Sequence, residues 1–297
     1  MRLRYQNTAV CGLLLIVTML LVGVGAGAWE TANLHGVDIQ YRRAGSGPAL
    51  VILPGAAGMD VALYQEVLNA LQGQAEVFYV NPRGAGGSGT PADGDYSIEA
   101  VVADLEELRK FWQLSNLVVL GHGYGGQVAL LYALEFPDAV RGLILSGGAH
   151  YLGEDWFVER QEATERHPAF EAYEELPVLE HNSNDAVLML DFYDWEAHQD
   201  RFAWLEPHLQ VRLEANGHFM EQDMIDFDLR SRVAAIEQPV LLLWGRFDVV
   251  DPVERAEQLD SLLPHSELVV FEEAAHLAFL EQSTAFVEAV EQFLDKL

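Results

Sequence analysis

The chain reads as an α/β protein with a mostly parallel sheet flanked by helices, and three observations point there. Short β-branched runs alternate along most of it with segments whose apolar residues recur at helical spacing. Several of the runs, Leu117 to Leu120 and Val240 to Trp244 among them, are apolar almost without interruption, as strands covered on both faces must be. The 297 residues are 50% hydrophobic, with 25 Gly and 11 Pro, enough for a large core. A disulfide miniprotein, a coiled coil and a disordered tail are thereby excluded.

Taken in order, the first element is a targeting segment. Met-Arg-Leu-Arg precedes an apolar run from Ala9 to Val24, and Ala26-Gly27-Ala28 follows before Trp29. This is the layout of a secretory signal, so residues 1–28 are expected to be a signal peptide cleaved after Ala28. A retained N-terminal membrane anchor is the alternative, and the run is short for one. The chain's one cysteine, Cys11, lies inside this segment, so the mature chain is expected to be secreted or periplasmic, indifferent to redox compartment and without a zinc-thiolate site.

Strands are expected at Val37 to Arg42, Ala49 to Leu53, Glu76 to Val80, Leu117 to Leu120, Gly142 to Leu145, Val240 to Trp244 and Glu267 to Phe271. Helices are expected at Ser97 to Trp112, Gln127 to Glu135, Val253 to Leu263 and Thr284 to Leu297, with Ser97 and Asp251-Pro252 as helix starts. Residues 150–237 break the alternation and carry many aromatics, including Trp156, Tyr173, Phe192, Trp204 and Phe219. They are expected to form a helical cap inserted into a core made of residues 29–149 and 238–297, walling a pocket above the strand ends.

Charge narrows the partners. Against 46 Asp and Glu stand 17 Lys and Arg, a formal charge of -29, which repels phosphate backbones and anionic membranes. No nucleic acid and, after signal cleavage, no stable membrane partner are expected. Lys110 and Lys296 are its lysines, a pattern typical of surfaces kept soluble in strong salt. The Gly-rich turn Arg83-Gly84-Ala85-Gly86-Gly87-Ser88 lacks the Gly-Lys-Ser/Thr ending of a phosphate loop, and no metal or cofactor is expected.

The residues that bear on chemistry begin where Leu117 to Leu120 runs into Gly121-His122-Gly123-Tyr124-Gly125-Gly126 and then a helix. Strand, sharp turn and helix make the setting of a nucleophile elbow, Gly-x-Ser-x-Gly, in which position 123 holds the nucleophile. Here it holds glycine, so no acyl-enzyme can form there. Asp248 follows the strand ending at Trp244, and His276 follows the next strand. Nucleophile, acid and base thus stand in the chain order this architecture requires, with the aspartate orienting the imidazole that shuttles protons. Ser146 and Ser88 are weaker alternative nucleophiles, Ser88 being better suited to bonding its own turn.

From about Val37 to Leu297 the chain resembles the α/β-hydrolases. Val77-Phe78-Tyr79-Val80, the Arg83 to Ser88 turn and the Gly121 to Gly126 elbow resemble the proline iminopeptidase branch. Leu53-Pro54-Gly55-Ala56-Ala57-Gly58 departs from the His-Gly-Gly-Pro-Gly run of those peptidases, and Asn81 stands where an Asp often precedes Arg-Gly. The resemblance implies the backbone amides of Ala56 and Tyr124 as oxyanion donors, and Glu214 as a cap carboxylate holding a substrate ammonium. A solvated Glu214 is the simpler expectation in so acidic a chain.

Three readings stay open: a hydrolase scaffold for esters or small peptides, a pseudoenzyme that binds a small ligand, and general-base catalysis by His276 and Asp248 without a nucleophile. Whether Gly123 is a natural loss, a changed serine or part of another use of the scaffold also stays open.

Overall fold

The computed structural model describes residues 27–177, 184–198 and 206–297. The apolar run from Ala9 to Val24, and with it the body of the signal segment, lies outside the described residues. Eight strands form one sheet: β1 (Trp29–Leu34), β2 (Val37–Gly45), β3 (Ala49–Leu53), β4 (Glu76–Val80), β5 (Leu117–His122), β6 (Val140–Ser146), β7 (Val240–Gly245) and β8 (Ser266–Phe271). Their order across the sheet is β1-β2-β4-β3-β5-β6-β7-β8. The pairs β1/β2 and β2/β4 are antiparallel, and every other pair is parallel.

β1 is absent from the sequence expectation. Its residues are mostly exposed, so no apolar run marks it, and it exists because His35 and Gly36, at φ 52° and 87°, turn the chain back onto β2. The expected strands all form, with ends that shift by up to three residues.

Alternation along the central strands sorts side chains to two faces. Val51, Leu53, Val119, Leu143 and Leu242 pack on one side with the helices Ile98–Phe111 and Tyr124–Glu135. Leu50, Ile52, Val118, Ile144 and Leu241 pack on the other with Leu68, Leu71, Phe279 and the helix Ser283–Leu294. The near-continuous apolar runs follow from this double burial.

Ser97 caps the helix Ile98–Phe111, its Oγ accepting from Ala100 N–H at 3.3 Å. Asp251 does not cap the helix Val253–Leu262. Its Oδ2 accepts instead from Ala149 N–H at 3.1 Å, and Pro252 takes the cap position without a side-chain bond.

Between β6 and β7 the chain adds helices at Glu154–Arg166, Phe170–Glu174, Asn184–Asp191 and Leu213–His218, with shorter turns between. Backbone bonds moor this segment to the body: Leu152 N–H to Phe227 O at 2.9 Å, Leu229 N–H to His150 O at 2.8 Å, and Arg212 N–H to Gly58 O at 3.2 Å. Among the described residues no helix is long and apolar enough to cross a membrane.

Candidate functional site

β3 lies between β4 and β5, so the chain leaves it toward one side and returns on the other. The loops after β3 and β5 diverge at that point and leave a crevice, where open α/β sheets bind ligands. Residues 54–58 and the elbow at Gly123 occupy it.

Gly123 sits at φ 47° and ψ -116°, between β5 and the helix Tyr124–Glu135. The strained conformation of the elbow is therefore kept although the residue carries no side chain. Its N–H donates to Ser146 O at 2.9 Å, tying the turn to β6. Close passage explains a neighbouring glycine: a Cβ at Gly126 would stand 2.8 Å from Gly148 Cα.

The amides expected to face an oxyanion are not both open. Tyr124 N–H donates to the Gly55 carbonyl at 2.9 Å. That carbonyl occupies the space of the missing side chain, since a Cβ at Gly123 would lie 2.5 Å from Gly55 O. Among the described residues nothing accepts from Ala56 N–H. The oxyanion expectation is thus corrected at Tyr124: with glycine at 123, the protein's own carbonyl fits against the donor.

A chain of hydrogen bonds holds Gly55 from its other side. Gly55 N–H donates to Tyr64 Oη at 2.8 Å, and Tyr64 Oη lies 2.8 Å from His122 Nδ1. His122 Nε2 lies 3.0 Å from the His276 carbonyl, which can only accept, so Nε2 carries the proton and Nδ1 accepts from the tyrosine. Burial, and then the positive charge of His276, hold His122 well below the ordinary histidine range.

Asp248 and His276 come together as the sequence spacing expects. Asp248 Oδ2 accepts from His276 Nδ1 at 2.9 Å, and both residues are buried. Asp248 Oδ1 meanwhile accepts from Val250 N–H at 2.9 Å and Asp251 N–H at 2.8 Å, so one carboxylate shapes its loop and orients the imidazole. Burial opposes charge on His276, but Asp248, with Asp191 and Asp251 beyond it, more than offsets this and pushes the group up to about 9. Burial pushes Asp191 up to about 6. Burial and the Asp248 charge push Asp251 up to about 7.

A pocket of about 620 Å³, counting its open mouth, reaches Gly123 from the cap side. Leu152, Trp156, Phe219, Met220, Met224 and Val250 give it an apolar wall, and Arg160, Gln127, Asn216 and Asp251 supply polar groups. Glu214 is not among the lining residues. It is exposed on the helix Leu213–His218, whose buried face presents Ala215. Ser88 is buried, its Oγ donating to Asn81 O at 2.6 Å and accepting from Gln40 N–H at 2.8 Å. Ser146 ends β6, also buried, and does not line the pocket. Asn81 suits its site by doing what an aspartate could not: Oδ1 accepts from Val61 N–H at 2.8 Å while Nδ2 donates to Gln40 Oε1 at 2.9 Å.

Sequence reading missed Tyr64, Asp191, Arg160 and the pocket role of Asp251. The Asp248-x-x-Asp251 spacing and the four-residue step from Trp156 to Arg160 on a helix were the available signals. Among the described residues no cluster of His, Cys, Asp or Glu is arranged to hold a metal ion.

An eight-stranded, mostly parallel sheet with a strand-turn-helix elbow and an Asp-His pair on the loops after β7 and β8 defines a hydrolase-type scaffold. Residues 48–283 match the alpha/beta hydrolase fold family, and the chain belongs to it. A proline iminopeptidase of Saccharolobus solfataricus is 26% identical over 287 residues, covering 89% of this chain and 91% of that protein. A pimeloyl-[acyl-carrier protein] methyl ester esterase of Aliivibrio salmonicida is 27% identical, covering 86% of this chain and 96% of its own. The crystal structure of an enol-lactonase from Burkholderia xenovorans superposes with a TM-score of 0.72 at 22% identity, covering 90% of this chain and all of that one. At that identity it speaks for the fold.

Proposed function

We propose that this protein is an exported small-molecule site on a hydrolase scaffold: it binds ester- or peptide-sized ligands beneath its cap and turns them over marginally or not at all. The observation that carries this reading is at position 123. No side chain stands there to attack, and the Gly55 carbonyl fills that space while holding Tyr124 N–H. The retained pocket, largely apolar with a few polar groups, supports ligand binding. Relatives that bear peptidase and esterase names support esters and peptides as the chemical range.

The test is exposure to a fluorophosphonate probe beside an activated-ester assay. No labelling and near-background turnover are expected. Stoichiometric labelling at Ser146 or Ser88 would overturn the reading by revealing a displaced nucleophile. Export rests on residues 1–28, and a chain starting at Trp29 is expected to be soluble and folded; persistent membrane association of that form would remove it.

A second reading is supported by the intact Asp248-His276 pair, with no protein partner on His276 Nε2 among the described residues. In it His276 draws a proton from water that attacks the ligand directly. Because His276 holds its own proton up to about 9, such turnover must climb with pH toward that value. A flat pH profile excludes it.

A further inference from the structure

In a chain of charge -29, a guanidinium in a pocket lining without an ion-pair partner is informative. Arg83, Arg109, Arg166, Arg230, Arg246 and Arg255 each pair with an Asp or Glu. Among the described residues Arg160, like Arg42, Arg141 and Arg212, forms no ion pair with a carboxylate, though its charge favours the ionised form of Asp191, and of these four it is the one that lines the pocket. It lies half-buried on the helix Glu154–Arg166, in the lining of the pocket that reaches Gly123. Its guanidinium stands 5.0 Å from the centre of the Trp156 ring, one turn earlier. Trp156 is fixed in turn by its Nε1–H, which donates to Val250 O at 2.8 Å. The cation is therefore held over a rigid aromatic wall, and among the described residues no hydrogen bond claims its guanidinium.

A second observation comes from a different loop. Asp251 also lines this pocket; among the described residues its buried Oδ1 has no hydrogen-bond partner, while Oδ2 accepts from Ala149 N–H. Burial and the Asp248 charge push Asp251 up to about 7, so near neutrality it can keep a proton and present no full negative charge to an anion in the pocket.

We infer that the pocket selects a small carboxylate, with its anionic head on Arg160 and its apolar body against Trp156, Leu152 and Phe219. This rests on the ligand-site reading above and names the ligand class for it. It also runs against the ammonium recognition that Glu214 would have served, since Glu214 faces solvent and the cation in the lining belongs to the protein.

Calorimetric titration with three probes of one shape tests it: 3-phenylpropionate, 3-phenyl-1-propanol and 3-phenylpropylamine. The carboxylate is expected to bind about tenfold tighter than the alcohol, and the amine most weakly, as a charge-assisted contact implies. Arg160→Gln should bring the carboxylate to the level of the alcohol and leave the alcohol within about twofold of its original affinity. Arg160→Lys, which keeps charge but not the planar fork, should lose only part of the preference and carries the test if Arg160→Gln melts early.

Equal affinity for acid and alcohol, or a preference that survives Arg160→Gln, overturns this inference while leaving a ligand site standing. Failure of all three probes to bind at millimolar concentration removes the ligand site and this inference together.

Discussion

A serine placed at position 123 must find room that the Gly55 carbonyl now holds. Its Cβ would meet that oxygen at 2.5 Å in a backbone region unfavourable to L residues, so Gly123→Ser is expected to destabilise the fold by about 2 kcal/mol. A chemical denaturation midpoint reads that loss. If the Gly55 peptide yields, Tyr124 N–H is freed at the same moment as the hydroxyl arrives, and probe labelling appears. We expect it to appear and to vanish in Gly123→Ser/His276→Ala. A normally stable Gly123→Ser that stays unlabelled would mean that Gly55 holds its place. Gly123, Asp248 and His276 were legible because each follows a strand end at a spacing that chain order alone reveals. The occupied Tyr124 amide was not, because it depends on which of two backbones fills a void. Arg160 and Asp251 escaped for a related reason: an arginine on a helix and a second aspartate in a loop look like solvated charges until a wall of Leu152, Trp156 and Phe219 encloses them.

At the scale of elements, the turn after β4 is fastened to the helix Ile98–Phe111 by one buried ion pair. Arg83 Nε and Nη2 donate to the two oxygens of Asp104 at 2.7 and 2.8 Å, and Nη1 donates to Asp95 O at 2.8 Å. Removing one partner leaves the other charge buried alone, so Asp104→Ala should cost about 3 kcal/mol in urea unfolding. Replacing both with apolar residues of similar volume should cost much less, and equal losses in the single and double variants would contradict this account. Ser97 was readable as a cap because a serine before a helical pattern has a local purpose. β1 was not readable, since an edge strand with an exposed face shows no apolar run and is defined by its partner. The cap helices were foreseen as helical from their break in the strand alternation, whereas which of their faces meets the pocket is fixed by moorings such as Arg212 to Gly58 that join distant parts of the chain.

Across the whole molecule, burial sets the proton count against the formal charges. Asp191 and Asp223 rise to about 6 and Asp251 and Glu281 to about 7, so these acids contribute stability present below their unfolded values and lost as pH rises through those points. Buried His150 and His167, held down to about 4, act in the opposite sense, losing stability as pH falls below the ordinary histidine range. The two sets oppose each other between about pH 4 and 6.5. Above that window His276 acts with the tail of the acids: its contribution is complete below 6.5 and disappears as pH rises through about 9. Thermal midpoints should therefore fall between about pH 7 and 9, and His276→Ala should flatten most of the descent. A midpoint that is level across that range in the unsubstituted protein would contradict the geometry around His276. The heat of unfolding carries the same information in another form. Because the folded protein holds protons that the unfolded chain gives up in mildly alkaline solution, melting delivers them to the buffer. An amine buffer, which releases heat on taking up a proton, will make the measured unfolding enthalpy smaller than phosphate does at the same pH, and the difference between the two counts the protons that Asp251, Glu281 and His276 retain in the native state.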